Sequence, residues 1–269
     1  MPPTLDAVIL PGWMERNEAT TYLQKMCWFD PPLTDQQAEA LWARYRDRVQ
    51  GLPKRNIEPP VRLPIAPADQ QHVSDFLAKK RGPEVLDVIN VNPMELVICQ
   101  SVVITDVANE HALNSGRWTE TFLVINRPNA QLPSRIENEM LKFTLPHAEH
   151  MCEIKNGQFL IKQGAGYVAA VELQGRLVLK TGYHRCFAFA RAVRNTPEAG
   201  DPSVVMALAA NLPAHLLPNL PENQRLRTIL LGPRPPLFSD FFDPDLTLAV
   251  KVRKKRYEIH IGMHTIDEP

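Results

Sequence analysis

Hydrophobic positions change their spacing several times along the chain, and each change marks an element. Between Met14 and Gly51 they recur at helical intervals, with Ala38, Leu41, Trp42 and Tyr45 on one face. Thr34 followed by Gln37 is a capping-box pattern, and Gly51 with Pro53 supplies a stop. The spacing predicts a pair of helices here, packed on a main domain. The proline-bearing stretch Leu52 to Pro67 then reads as an extended strap. A short helix is expected over Ala68 to Lys80, ended by Gly82-Pro83.

From Val85 the pattern turns strand-like, over Val85 to Val91 and again over Leu96 to Ile104. A helix around Val107 to Asn114 and a strand from Trp118 to Ile125 are expected next, while Asn126 to Glu149 fits no template. The clearest β signal lies between Met151 and Gly182. Asn156-Gly157 joins Cys152–Ile154 to Phe159–Ile161 as a two-residue turn, because both turn positions need positive φ. Gln174-Gly175 joins Tyr167–Leu173 to Leu177–Lys180 in the same way. Gly182 ends that strand and a helix follows from Tyr183 to Val193. Cys186, Phe187, Phe189, Ala190 and Val193 cover much of its circumference, which predicts burial. Periodicity leaves Ser203 to Ala210 open between strand and helix. Alternation at Leu246, Leu248, Val250 and Val252, and again at Tyr257, Ile259, Ile261 and Met263, predicts a C-terminal β-hairpin turning at Arg253 to Arg256.

Composition narrows the classes of function. The formal net charge is zero, so no global field draws the protein onto DNA or an anionic membrane. Twenty-five prolines against 12 glycines, clustered at positions 31–32, 53–67, 213–221 and 233–236, read as connectors between compact units. Cys27, Cys99, Cys152 and Cys186 form no Cys-x-x-Cys pair and no signal sequence precedes them. They are expected as reduced thiols in a cytoplasmic protein. No apolar run reaches the length of a membrane span.

The segment that carries chemistry is Thr181-Gly182-Tyr183-His184-Arg185. A strand ends at a glycine and a helix begins at once, so the first helical N–H groups lack intrahelical partners and sit at the positive end of the helix dipole. Gly182 permits close approach of a ligand, and the Arg185 fork suits phosphate oxygens. His184 exchanges a proton near neutral pH, and Thr181 caps the helix or meets the ligand. Strand, turn and helix in this order describe an anion site. Thr181, Gly182, Tyr183, His184 and Arg185 are the candidate phosphate-binding residues, and His184 is the candidate catalytic one.

The run from Gly175 to Ala190, Gly-Arg-Leu-Val-Leu-Lys-Thr-Gly-Tyr-His-Arg-Cys-Phe-Ala-Phe-Ala, resembles the strand–Gly-x-[His/Arg]-Arg–helix signature of the ParB/sulfiredoxin superfamily. Asn92 to Gln100 is similar to the early strand region of such domains. The resemblance covers about half the chain, from near Val85 to Leu212. It implies a nucleotide or a phosphorylated small molecule as ligand, its phosphates at the turn, with magnesium accompanying the nucleotide if a phosphoryl group is hydrolysed or transferred. Sulfiredoxins carry a reactive cysteine where Tyr183 stands, and partition proteins carry an acid where His184 stands. Nothing after Pro213 suggests a helix-turn-helix. Sulfinic-acid repair and partition function are therefore not implied. Some members use a nearby carboxylate as base, and Glu172, Glu153 and Asp106 are the acids within range here.

Other clusters read as structure. His147, His150 and Cys152 have metal-like spacing without a fourth ligand, and His260 and His264 have no acidic or thiol companion, so no metal site is expected. Lys251 to Arg256 reads as solvated charge at a hairpin turn, which leaves nucleic-acid contact unfavoured. Leu237 to Pro244 reads as an aromatic anchor. The expectation is an α+β protein with a helical segment and Pro-rich strap over 1–67, a ParB/sulfiredoxin-like domain over 68–212, and a linker with a β-hairpin over 213–269. Two other readings stay open: a non-catalytic regulatory or assembly protein retaining the fold, and a nucleic-acid-binding, nuclease-like protein.

Overall fold

The computed structural model describes residues 3–80, 84–113, 117–124, 134–137, 140–145, 150–155, 158–163, 166–195, 202–211, 228–254 and 257–262. The chain is mixed α+β and divides into two compact units. The first comprises Met1–Ile125 with Tyr167–Arg253, and the second Asn126–Gly166 with Lys254–Pro269.

The first unit holds two sheets. One is formed by β1 (Thr4–Ile9), β2 (Cys27–Trp28), β5 (Val102–Ile104) and β13 (Leu248–Arg253), in the order β2-β13-β1-β5. Ala7, Ile9, Val250, Val252 and Cys27 line its inner face. There they meet Ala19 of α1 (Arg16–Thr21) and Ala38, Leu41 and Trp42 of α2 (Asp35–Gly51). The capping box expected for α2 is present: Gln37 N donates to Thr34 Oγ1 at 3.2 Å and Thr34 N to Gln37 Oε1 at 2.9 Å.

The second sheet runs β3-β12-β10-β11-β4, formed by β3 (Val85–Val91), β4 (Val97–Ile98), β10 (Ala169–Leu173), β11 (Arg176–Thr181) and β12 (Val204–Ala209). It is apolar on both faces. Val204, Met206 and Leu208 of β12 face α6 (Tyr183–Arg194), whereas Val205, Ala207 and Ala209 face Val73 and Phe76 of α3 (Pro67–Lys80). That double burial is why periodicity could not classify the β12 segment, since a strand buried on both sides loses its alternation. The Gln174-Gly175 reversal is as expected, with φ of 49° and 77°.

Four expectations are corrected. The C-terminal alternation does mark strands, but not a hairpin: β13 pairs with β1 and β2, while β14 (Tyr257–Gly262) pairs with β7 (Met140–Leu145). Trp118 to Phe122 is a helix, α5, rather than a strand. Its Trp118 and Phe122 rings, four positions apart, both pack edge-on against Phe189 with centroids at 5.3 and 6.0 Å. Helical spacing puts two aromatics on one partner, and this outweighs their β propensity. The region before the strap is not wholly helical, because β1 precedes its helices. The stretch from Leu96 to Ile104 is two short strands, β4 and β5, in different sheets.

Residues 236–242 anchor themselves as expected of an aromatic segment. Phe238 N donates to Leu96 O at 2.9 Å and Ile98 N to Pro236 O at 3.0 Å, extending the sheet beyond β4. Phe238 and Phe241 are buried, and Phe242 stacks on Phe187 of α6 at 4.7 Å. Burial of each such ring contributes about 1.5–3 kcal/mol.

In the second unit β6 (Ser134–Glu137), β7 and β14 form a sheet in the order β14-β7-β6, and β8 (His150–Lys155) pairs with β9 (Gln158–Gln163). The β8–β9 register, Lys155 opposite Gln158, is that of the expected hairpin. Its turn residues Asn156 and Gly157, like His147, His264, Lys255, Arg256 and the linker 213–227, lie outside the described residues.

Candidate functional site

The turn between β11 and α6 is built as its sequence suggests, and its side chains are disposed otherwise. Gly182 adopts φ 94° and ψ 20°, a left-handed conformation that swings the chain from strand into a helix of 12 residues. A Cβ placed there would lie 2.5 Å from Val168 Cγ2. The glycine is therefore required by close packing as well as by φ.

Each neighbouring side chain has an internal task. Thr181 Oγ1 donates to Tyr167 O at 2.9 Å. Tyr183 is buried; its hydroxyl donates to Leu179 O at 2.9 Å and accepts from Cys99 N at 2.9 Å and Gln100 N at 3.2 Å. In effect the phenol continues the β4–β11 ladder one step past the last main-chain pair, Leu179 with Ile98. Burial first, then the neighbouring Cys99, pushes the Tyr183 hydroxyl well above its ordinary range. Arg185 is only 6% exposed, and its Nη1 donates to Thr121 O at 2.8 Å. Thr181, Gly182 and His184 are partly exposed. The five sequence-predicted residues therefore lie in one turn but divide into an outer set and an inner pair, Tyr183 and Arg185. Thr121, Tyr167, Val168 and Cys99 complete the turn from distant segments, and no local pattern announced them.

Of the candidate carboxylates, Glu172 and Asp106 are engaged with other partners. Glu172 sits near the Gln174-Gly175 end of the β10–β11 hairpin, opposite Leu177, whereas Thr181 at the far end pairs with Ala169. It forms an ion pair with Arg62 at 2.9 Å, both side chains about half exposed. Asp106, in the first turn of α4 (Thr105–Leu113), accepts from Asp6 N at 2.9 Å. Glu153 is placed in β8 of the other unit. Among the described residues no group of three His, Cys, Asp or Glu side chains is arranged to hold a metal ion.

Cys186, read from the sequence as core, is fully buried, and burial pushes its thiol from 9.0 to about 12. The raised value means that the unfolded chain releases this proton first. The associated stability is whole below pH 9 and falls as pH rises towards 12, by about 1.4 kcal/mol per pH unit for one group. Denaturant unfolding followed from pH 7 to 11 should show a flat region and then a decline to which Cys27, raised by burial to about 12 in the same way, also contributes. Cys186→Ala should be less stable throughout but decline less steeply.

The described part of the basic run begins within a strand. Lys251 and Arg253 lie on the outer face of β13, an interior strand, with Lys251 Nζ 3.9 Å from Asp6 and the Arg253 guanidinium 5.7 Å from the Trp28 ring centroid. Among the described residues no helix is long and apolar enough to cross a membrane. Compared with protein-family models, with curated proteins and with solved structures, the chain finds no match.

Proposed function

We propose that the protein binds a phosphate-bearing ligand, a nucleotide or a phosphorylated small molecule, at the N-terminus of α6, within a domain of the ParB/sulfiredoxin type. The observation that carries this reading is the junction itself: a strand, a glycine at φ 94°, and a long helix whose positive end begins at a partly exposed turn. The main chain where Gly182 leads into α6 is the ligand-facing part of this reading, with the half-buried His184 beside it, its Nε2 turned away from solvent. Thr181 and Arg185 hold that main chain in place through carbonyl groups of other segments, and Tyr183 through Leu179 O of the adjoining β11.

That division of labour favours binding without turnover as the second reading. Arg185, which a phosphoryl-transfer site would aim at the transferred group, is spent on Thr121 O, which leaves His184 as the sole catalytic candidate in the turn. The described residues offer no protein cage for magnesium, so the ion would arrive on the phosphates of the nucleotide.

Thermal unfolding with nucleoside mono-, di- and triphosphates and inorganic phosphate, each with and without magnesium, tests the proposal. A ligand at a hundred times its dissociation constant adds about 2.7 kcal/mol. His184→Ala should weaken that ligand by about tenfold, the worth of one charge-assisted hydrogen bond. If no phosphate-bearing ligand raises the midpoint of the wild type, the proposal is wrong.

A further inference from the structure

The two chain segments that lead into and out of residues 126–166 are both fastened to the strand-to-helix turn. On the outgoing side, α5 ends at Phe122 and its Thr121 carbonyl accepts from Arg185 Nη1 at 2.8 Å. On the returning side, the Tyr167 carbonyl accepts from Thr181 Oγ1 at 2.9 Å, and the Val168 side chain fills the space a Cβ on Gly182 would need. The two segments are joined to each other: Leu123 bridges to Tyr167, and Val168 N donates to Phe122 O at 2.7 Å. Further attachments come from α6 itself, where Phe122 packs against Phe189, and from α3 and β12. His72 Nε2 lies 2.8 Å from Leu123 O, Phe76 packs edge-on against Tyr167, and Ala207 N donates to Val168 O.

This root is therefore clamped from two directions, and one clamp consists of the side chains that flank the main-chain groups of the turn. We propose that the turn couples ligand occupancy to the order of the root from which residues 126–166 depart. The inference rests on reading the turn as a phosphate site. An anion bound to the main chain of Tyr183–Arg185 fixes the conformation in which Thr181 and Arg185 reach their two carbonyls, so it lowers the probability that the root opens. By reciprocity, anything that pins the root raises affinity at the turn. No displacement is required, because stiffening one partner reduces the ordering cost for the other.

Hydrogen exchange on the full-length chain reads this directly, at the amides of residues 119–124 and 166–169, with β3 as the internal control. Thr181→Val, which removes only the hydroxyl, and Arg185→Gln, which removes the charge, should each speed exchange at the Val168 amide. The expected factor is about fivefold for the first and about tenfold for the second, in keeping with one neutral and one charged hydrogen bond. ATP with magnesium, and separately inorganic phosphate, are the probes, and binding is scored independently by thermal stabilisation. A probe that binds should slow root exchange in the wild type and lose most of that effect in Thr181→Val. A probe that binds without slowing root exchange overturns the coupling and leaves the phosphate reading standing. If neither probe binds, both fall. Unchanged root exchange in the two variants also overturns the coupling, whatever the probes do.

Discussion

Gly182→Ala is expected to destabilise the protein by roughly 2–5 kcal/mol, because it offends two requirements at once. A side chain at φ 94° costs about 1–2 kcal/mol through its clash with the following carbonyl. The new methyl also falls 2.5–2.9 Å from three carbons of Val168, an overpacking that costs about 1–3 kcal/mol in a region with no slack. Chemical denaturation of Gly182→Ala, Val168→Ala and the double variant separates the two. The double variant should recover the steric part, so the effects will not add, while the backbone part persists. A cost below about 1 kcal/mol for the single substitution would contradict both the left-handed turn and its contact with Val168.

Asp240→Ala should cost about 3 kcal/mol or more, measured in the same way. Asp240 is 1% exposed and holds Arg55 through both carboxylate oxygens, while also accepting from Leu237 N at 2.9 Å. Removing one member of a buried pair strands the other, which typically costs about 3–5 kcal/mol. The lower end is expected because the Arg55 side chain keeps 22% of its exposure. A second cation aggravates the loss. Arg234 lies close enough that burial and then Arg55 lower its pKa, with Asp240 opposing them. Without Asp240 the two guanidinium groups face each other with one carboxylate fewer. Arg55→Met combined with Asp240→Leu should recover most of the stability, since an apolar pair of similar bulk carries no desolvation cost.

Local rules were legible in the sequence wherever the physics is local. Thr34 and Gln37 cap a helix whatever surrounds them, and Gln174-Gly175 reverses the chain because both residues accept positive φ. The strand–Gly182–helix junction was legible for the same reason. What could not be read was the choice of partner. Alternation at Val250 and Val252 states that one face is buried but not against which strand, so adjacency in sequence suggested a hairpin with Tyr257–Gly262 that does not form. At Trp118–Phe122, β propensity pointed to a strand, and only the distant Phe189 explains the helix. The site divides along the same line. Residue type marked Tyr183 and Arg185 as ligand contacts, whereas their burial depends on Leu179, Cys99 and Thr121, brought in by other elements. Arg185 beside Cys186 and Phe187, in a helix whose apolar residues cover much of the circumference, was the one available hint that its guanidinium faces inward.

The pairing of β1 with β13 has a consequence in time. Thr4 lies opposite Arg253, so nearly the entire sequence is interposed between two strands that share a ladder. During synthesis β1 emerges early and waits for that neighbour through roughly 10–50 s of elongation at usual rates. Until then the sequence Ala7-Val8-Ile9-Leu10 has an unsatisfied edge, and the first sheet cannot complete until most of the chain exists. Such a high contact order predicts slow closure of this sheet relative to the β10–β11 hairpin, which requires only its own turn. The central β10–β11 hairpin can thus form well before β13 arrives to join β1 to β2.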